Sequence, residues 1–125
     1  MFTLNDDKSI YATRGDAIFL SVGASDKGIP HEFKQGDILR MTVMEKKRAD
    51  RVVLQKDFKI TEATQAVPVV LTSEEMKIGD SISKPKDYWY ELELNPGELS
   101  QTIVGYDENG PKVLRLFPEG EAVSV

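Results

Sequence analysis

Apolar residues recur at every second position over short runs of this chain, and turn-forming residues separate the runs. Leu39, Met41 and Val43 share one side of a run whose other side holds Arg40 and Thr42. Val67, Val69 and Leu71 make a second apolar row, and Val52, Leu54, Phe58 and Ile60 a third that Lys56 interrupts. A period of two is the mark of strands, whose side chains point alternately to two faces. Strands are therefore predicted near Ser9–Thr13, Ala17–Val22, Ile38–Met44, Arg51–Ile60, Ala66–Leu71, Tyr88–Leu94, Gln101–Tyr106 and Lys112–Phe117. Between them, Asp26-Lys27-Gly28 with Pro30, and Lys34-Gln35-Gly36-Asp37, combine glycine's access to positive φ with local Asp hydrogen bonding. Asn95-Pro96-Gly97 ends a strand, Asp107–Pro111 reads as a hairpin loop, and Pro68 marks an edge strand or bulge.

Alternation of this kind suits antiparallel sheets with one packed and one wet face, and two such sheets facing each other bury both apolar sides. The predicted fold class is all-β, an antiparallel β-sandwich of about seven to eight strands in one domain spanning residues 1–125. One segment breaks the period. Thr72 is a capping residue, Glu75 lies three positions later and Gly79 can stop a turn, which predicts a short helical turn over Ser73–Ile78.

The stretch Lys86–Leu94 holds the only tryptophan and two of the four tyrosines. As a strand it places Tyr88, Tyr90, Leu92 and Leu94 on one face and Trp89, Glu91 and Glu93 on the other. The first row is the long apolar one and is predicted to face the core, with its phenol hydroxyls reaching the sandwich rim or a backbone partner. Trp89 is left outside, beside two acids.

Composition narrows what such a fold does. With 16 Lys and Arg against 21 Asp and Glu the net charge is −5, so the basic excess that nucleic-acid binding uses is missing. The one local basic cluster, Lys46-Lys47-Arg48 with Glu45, Asp50 and Arg51, is mixed in sign and reads as a solvated hairpin loop. No apolar run approaches the ~20 residues of a membrane helix, and the N-terminal stretch has neither a basic n-region nor an apolar h-region. The expectation is synthesis in the cytoplasm without a signal peptide and without membrane association. There is no cysteine, hence no disulfide, no thiolate nucleophile and no cysteine zinc site.

Candidate chemistry is thin. His31, the only histidine, sits in a turn-rich loop, where an exposed side chain is expected rather than a general base. Glu91 with Glu93, and Glu74 with Glu75, are paired acids whose spacing also suits an ordinary solvated face. Asn5-Asp6-Asp7 and Asp107-Glu108-Asn109 lack the spacing of a calcium loop. Arg14-Gly15-Asp16 reads as a tight turn, not an adhesion tripeptide. No enzyme, metal or cofactor is expected. Interface cores favour Trp, Tyr and Arg, so an interaction surface is assigned to Trp89 with Glu91, Glu93 and Arg115. An alternative use of the same residues is carbohydrate binding, with Trp89 stacking on a sugar ring and the glutamates accepting its hydroxyls.

Val69-Val70-Leu71-Thr72, then Ser73–Ile78 with Gly79, then Tyr88-Trp89-Tyr90-Glu91 and a hairpin beginning Gln101-Thr102-Ile103-Val104, form a specific order. It resembles the immunoglobulin-like N-terminal domain of phage baseplate upper proteins. The upstream Gly36–Val43 and Val52–Ile60 fit the earlier strand pair of that family, so the likeness spans Gly36 to Tyr106. It departs from the pattern at Asp80–Asp87, which intervenes before the tyrosine strand. The resemblance implies an immunoglobulin-like sandwich in a phage or prophage tail or baseplate component, present in the virion. It implies contacts with other protein subunits or with further copies of itself, and no catalytic residues. A small stand-alone module is expected rather than a whole baseplate protein.

Overall fold

The computed structural model describes residues 2–5, 7–26, 28–45, 51–97, 100–105 and 112–119. The basic cluster around Lys46–Arg48, the loop at Asp107–Pro111 and Tyr106 lie outside the described residues. Eleven strands are present among those described: β1 (Phe2–Leu4), β2 (Ile10–Thr13), β3 (Ile18–Val22), β4 (Ser25–Asp26), β5 (Ile29–Pro30), β6 (Ile38–Met44), β7 (Val52–Lys59), β8 (Val67–Leu71), β9 (Lys86–Leu94), β10 (Gln101–Val104) and β11 (Lys112–Phe117). Every strand predicted from the alternation is there. The period did not reveal β1 or the two-residue strands of the β4–β5 hairpin, which are too short to show one.

The large sheet runs β1-β2-β11-β9-β6-β7, with β10 also paired to β9. Strand β9 is its axis. One edge of β9 is covered by β6, and the other is shared end to end by β11 and β10. All these pairs are antiparallel except β11 with β2, which run parallel, so the sheet is mixed rather than purely antiparallel. Across from it lies a two-stranded antiparallel sheet, β3 with β8.

The alternation decides what fills the space between the two sheets. From the large sheet come Leu39, Met41 and Val43, the Tyr88–Leu94 row, and Leu114 and Leu116; from the small one come Ile18, Leu20, Val67, Val69 and Leu71. Two sheets with apolar rows turned inward over one core make a β-sandwich. Each fully buried Leu, Val or Ile side chain contributes about 1.5–3 kcal/mol. Tyr90, buried in that row, donates its hydroxyl to the carbonyl of Lys8, and burial raises its pKa well above the usual phenol value. Asn95, at positive φ, stops β9 by locking onto the start of β6: its Oδ1 accepts from the Ile38 amide at 2.9 Å.

The segment predicted as a helical turn is a strap across one end of the sandwich. It keeps the capping-box bonds, with the Thr72 amide donating to Glu75 at 2.9 Å and the Glu75 amide to the Thr72 hydroxyl at 3.2 Å. A single α-type turn closes at Met76, whose amide donates to the Thr72 carbonyl, and no helix follows among the described residues. The reason is packing: Met76 and Ile78 turn into the core and Gly79 takes φ +65. Arg14 fastens the strap from below, donating to the carbonyls of Ile78 (3.1 Å) and Gly79 (2.7 Å) and to Glu119 (2.7 Å). The Arg14-Gly15-Asp16 tripeptide is thus a structural corner. Its Gly15 has φ +88 and its arginine side chain is only 11% exposed.

Candidate functional site

Because paired residues on adjacent strands project to the same side of a sheet, the registers of β2, β11, β9, β6 and β7 define the outer face of the large sheet row by row. Val113, Trp89, Met44 and Val52 are successive partners across β11, β9, β6 and β7; the last step crosses a register shift after Val43 that takes Val52 out of the apolar row predicted with Leu54 and Phe58. The four partners form an apolar stripe crossing four strands. Met44 is buried although it points away from the core, Trp89 is partly buried, and Val52 is 49% exposed.

Polar rows flank this stripe. On one side Glu91, Thr42 and Gln55 are partners, with Gln55 donating to the Thr42 hydroxyl at 3.2 Å. Beyond them lies a row of charge, Glu93, Arg40 and Asp57. There Arg40 makes a bidentate pair with Asp57 (2.7 and 3.0 Å) and Ser100 donates to Glu93. On the other side Arg115 makes a bidentate pair with Asp87 (2.7 and 3.1 Å) while its guanidinium lies 5.1 Å from the Tyr11 ring centre. Tyr11 in turn meets Phe117 edge-on at 5.9 Å.

These contacts set the local protonation. The Arg40 guanidinium holds the Asp57 carboxyl below its ordinary value. Glu91 is pushed the other way, upward, first by burial and then by the neighbouring Glu93 charge. The two acids of the predicted pair therefore sit in different surroundings: Glu91 beside Thr42 in a partly dry row, Glu93 beside Arg40 and Ser100.

All four residues assigned to an interaction surface lie on this one face, Trp89, Glu91 and Glu93 on β9 and Arg115 on the adjacent β11. Sequence reasoning missed Met44, Val113, Val52 and the Arg40–Asp57 pair. Nothing local joins them to Trp89, because what brings them together is cross-strand register. Ile82, in the Asp80–Asp87 loop that precedes the tyrosine row, packs against the core on the other side of the sheet.

The remaining candidates are scattered. His31 stacks edge-on against Phe33 (5.0 Å, 87°), and its buried Nε2 has no hydrogen-bond partner among the described groups. Glu75 belongs to the strap and pairs with Lys56 at 2.8 Å. Asp7 accepts from the Ser9 amide and hydroxyl, as turn residues do. Among the described residues no three His, Asp or Glu side chains converge as a metal ion would need, and no helix is long and apolar enough to cross a membrane. In comparisons with known proteins, no family model, curated protein or solved structure matches this chain.

Proposed function

We propose that this protein is a non-enzymatic structural module that docks the outer face of its large sheet on another protein subunit, as a component of a phage or prophage tail or baseplate. The observation that carries the docking reading is the stripe Val113–Trp89–Met44–Val52 running between rows of charge that already have partners within the sheet. A subunit laid over this face gains apolar contact around a tryptophan and meets, in Arg40–Asp57 and Arg115–Asp87, charges that are already matched.

Strand arrangement supports the immunoglobulin-like part of the reading. Strands β11, β9, β6 and β7 are neighbours in one sheet, and β3 pairs with β8 in the other, the order that variable-type immunoglobulin sandwiches use for their G, F, C, C′ and B, E strands. Tyr88, near the start of β9, sets its hydroxyl against Gly79 in the loop before it, a placement like the tyrosine corner of such domains. The phage part rests on the sequence resemblance.

Sedimentation velocity over a concentration series tests self-docking. Association is expected for the wild type and loss of it for Trp89→Ala and for Val52→Asp, which puts a charge on the exposed end of the stripe. A wild type that stays monomeric at its highest soluble concentration removes self-association. Tail or receptor-binding genes beside the coding region are expected, and metabolic neighbours there would remove the phage reading.

A further inference from the structure

A second surface lies on the other side of the sandwich. Among the described residues β3 pairs only with β8, and β10 only with β9, so each keeps one edge free of strand partners. A groove of about 390 Å³ opens between these edges. Its wall includes every residue from Leu20 to Ser25 in succession. Leu20, Ser21 and Val22 line it in succession although strand residues alternate between two faces, so the free edge of β3, with its backbone amides and carbonyls, forms the wall there; beyond β3 the Ala24 carbonyl already accepts from the His31 amide and Ser25 belongs to the β4–β5 pair. The floor is apolar: Leu20 and Val22 from β3, Tyr90 and Leu92 from β9, Ile103 and Val104 from β10. Leu4, 47% exposed, stands at the rim.

One charged residue lines the groove. Lys8 is exposed, forms no ion pair with a described carboxylate, and is held at φ +74, a left-handed conformation uncommon for a side-chain-bearing residue. The turn bond from the Lys8 amide to the Asn5 carbonyl and the Tyr90 hydroxyl on the Lys8 carbonyl hold it there.

We infer that this groove is a strand-acceptor site that binds an extended segment of another polypeptide, with alternate apolar side chains and a carboxylate at the end nearest Lys8. The backbone edge demands an occupant that offers main-chain donors and acceptors in a line. The floor demands an apolar residue at every second position of it. The lone cation selects acid over base at its end, by charge complementarity. The β3 edge from Leu20 to Val22 pairs with about three residues of the occupant, at ~3.3 Å each. Pairing it to β3 would widen the two-stranded sheet, the narrower and more exposed layer of the sandwich.

The test uses a fluorescently labelled peptide, Asp-Thr-Val-Thr-Val-Thr-Asp with blocked ends, read by fluorescence anisotropy. Three controls accompany it: Lys in place of both Asp, Ser in place of both Val, and alternate backbone amides N-methylated. Saturable binding of the first is expected, about five-fold weaker for the Lys-flanked peptide at low salt, with the gap narrowing as salt rises. The N-methylated and Val-less peptides are expected to lose about ten-fold or more. Lys8→Glu should reverse the charge preference, and amide shifts should map to Leu20–Ser25 and Thr102–Val104. Trp89→Ala should leave peptide affinity unchanged, which separates this site from the outer face. No binding up to ~1 mM, equal binding of the N-methylated peptide, or indifference to the flanking charge would each overturn the assignment.

Discussion

The two lateral seams of the sandwich are closed to different degrees. Where β7 faces β8, Lys56 turns inward from an edge strand, donates to the Val70 carbonyl at 2.9 Å and pairs with Glu75 of the strap at 2.8 Å. Its stem also lies near Phe58, with the ammonium 5.3 Å from the ring centre. Where β3 faces β10, no side chain makes such a bridge among the described residues, and a groove remains. An inward charge on an edge strand is a known means of keeping that edge from pairing with another chain. The first seam is thus blocked and tied, and the second is left with its backbone on offer.

Substitutions can test that asymmetry. Met76→Ala should have the largest effect, about 3 kcal/mol of lost stability by urea denaturation, since this fully buried side chain anchors the strap over the closed side. Gly79→Ala comes next at about 2 kcal/mol: φ is +65 and an added Cβ would lie 2.6 Å from the Tyr88 hydroxyl. Lys56→Ala should cost about 1 kcal/mol, because the Glu75 pair is partly solvated but the Val70 carbonyl loses its donor.

Acid should act on the same seam. Hydrogen bonds from Lys56 and the Thr72 amide depress the Glu75 pKa below the usual glutamate value. A carboxylate whose folded pKa is depressed contributes stability that is fully present above its unfolded pKa and is lost as pH falls through the folded one. Unfolding titrations between pH 3 and 7 should therefore show a declining limb below about pH 4.3 that Glu75→Gln makes shallower. The smallest effect belongs to the open side, where Thr102→Ala should change stability by no more than about 0.5 kcal/mol. A cost there equal to that of Met76→Ala would erase the contrast between the seams.

Much of this architecture was legible in the alternation. Leu39-Met41-Val43 and Tyr88-Tyr90-Leu92-Leu94 announced their buried faces because period two is a property of a strand by itself. Lys56 was visible as an interruption of an apolar row, but its reason was not, since Val70 and Glu75 reach it through the fold. The Thr72–Gly79 signals were read correctly as capping chemistry. The helical part is the single turn they predict: it closes at Met76, and Met76 and Ile78 then turn into the core. Trp89 was singled out by sequence alone. Its stripe was not, because Val113, Met44 and Val52 become its neighbours only through register.

The parallel pairing of β2 with β11 has a kinetic consequence. Tyr11 and Arg115 meet across 104 residues of sequence, so the large sheet cannot be completed until nearly all the described chain is available. Until β11 arrives, β9 is open on one edge along Lys86–Tyr90, and β2 on the edge opposite β1. Contacts of such long sequence separation place a chain among slow, millisecond-to-second folders. On the ribosome, the aromatic centre of the molecule would therefore wait, half-paired, for its last strand to emerge.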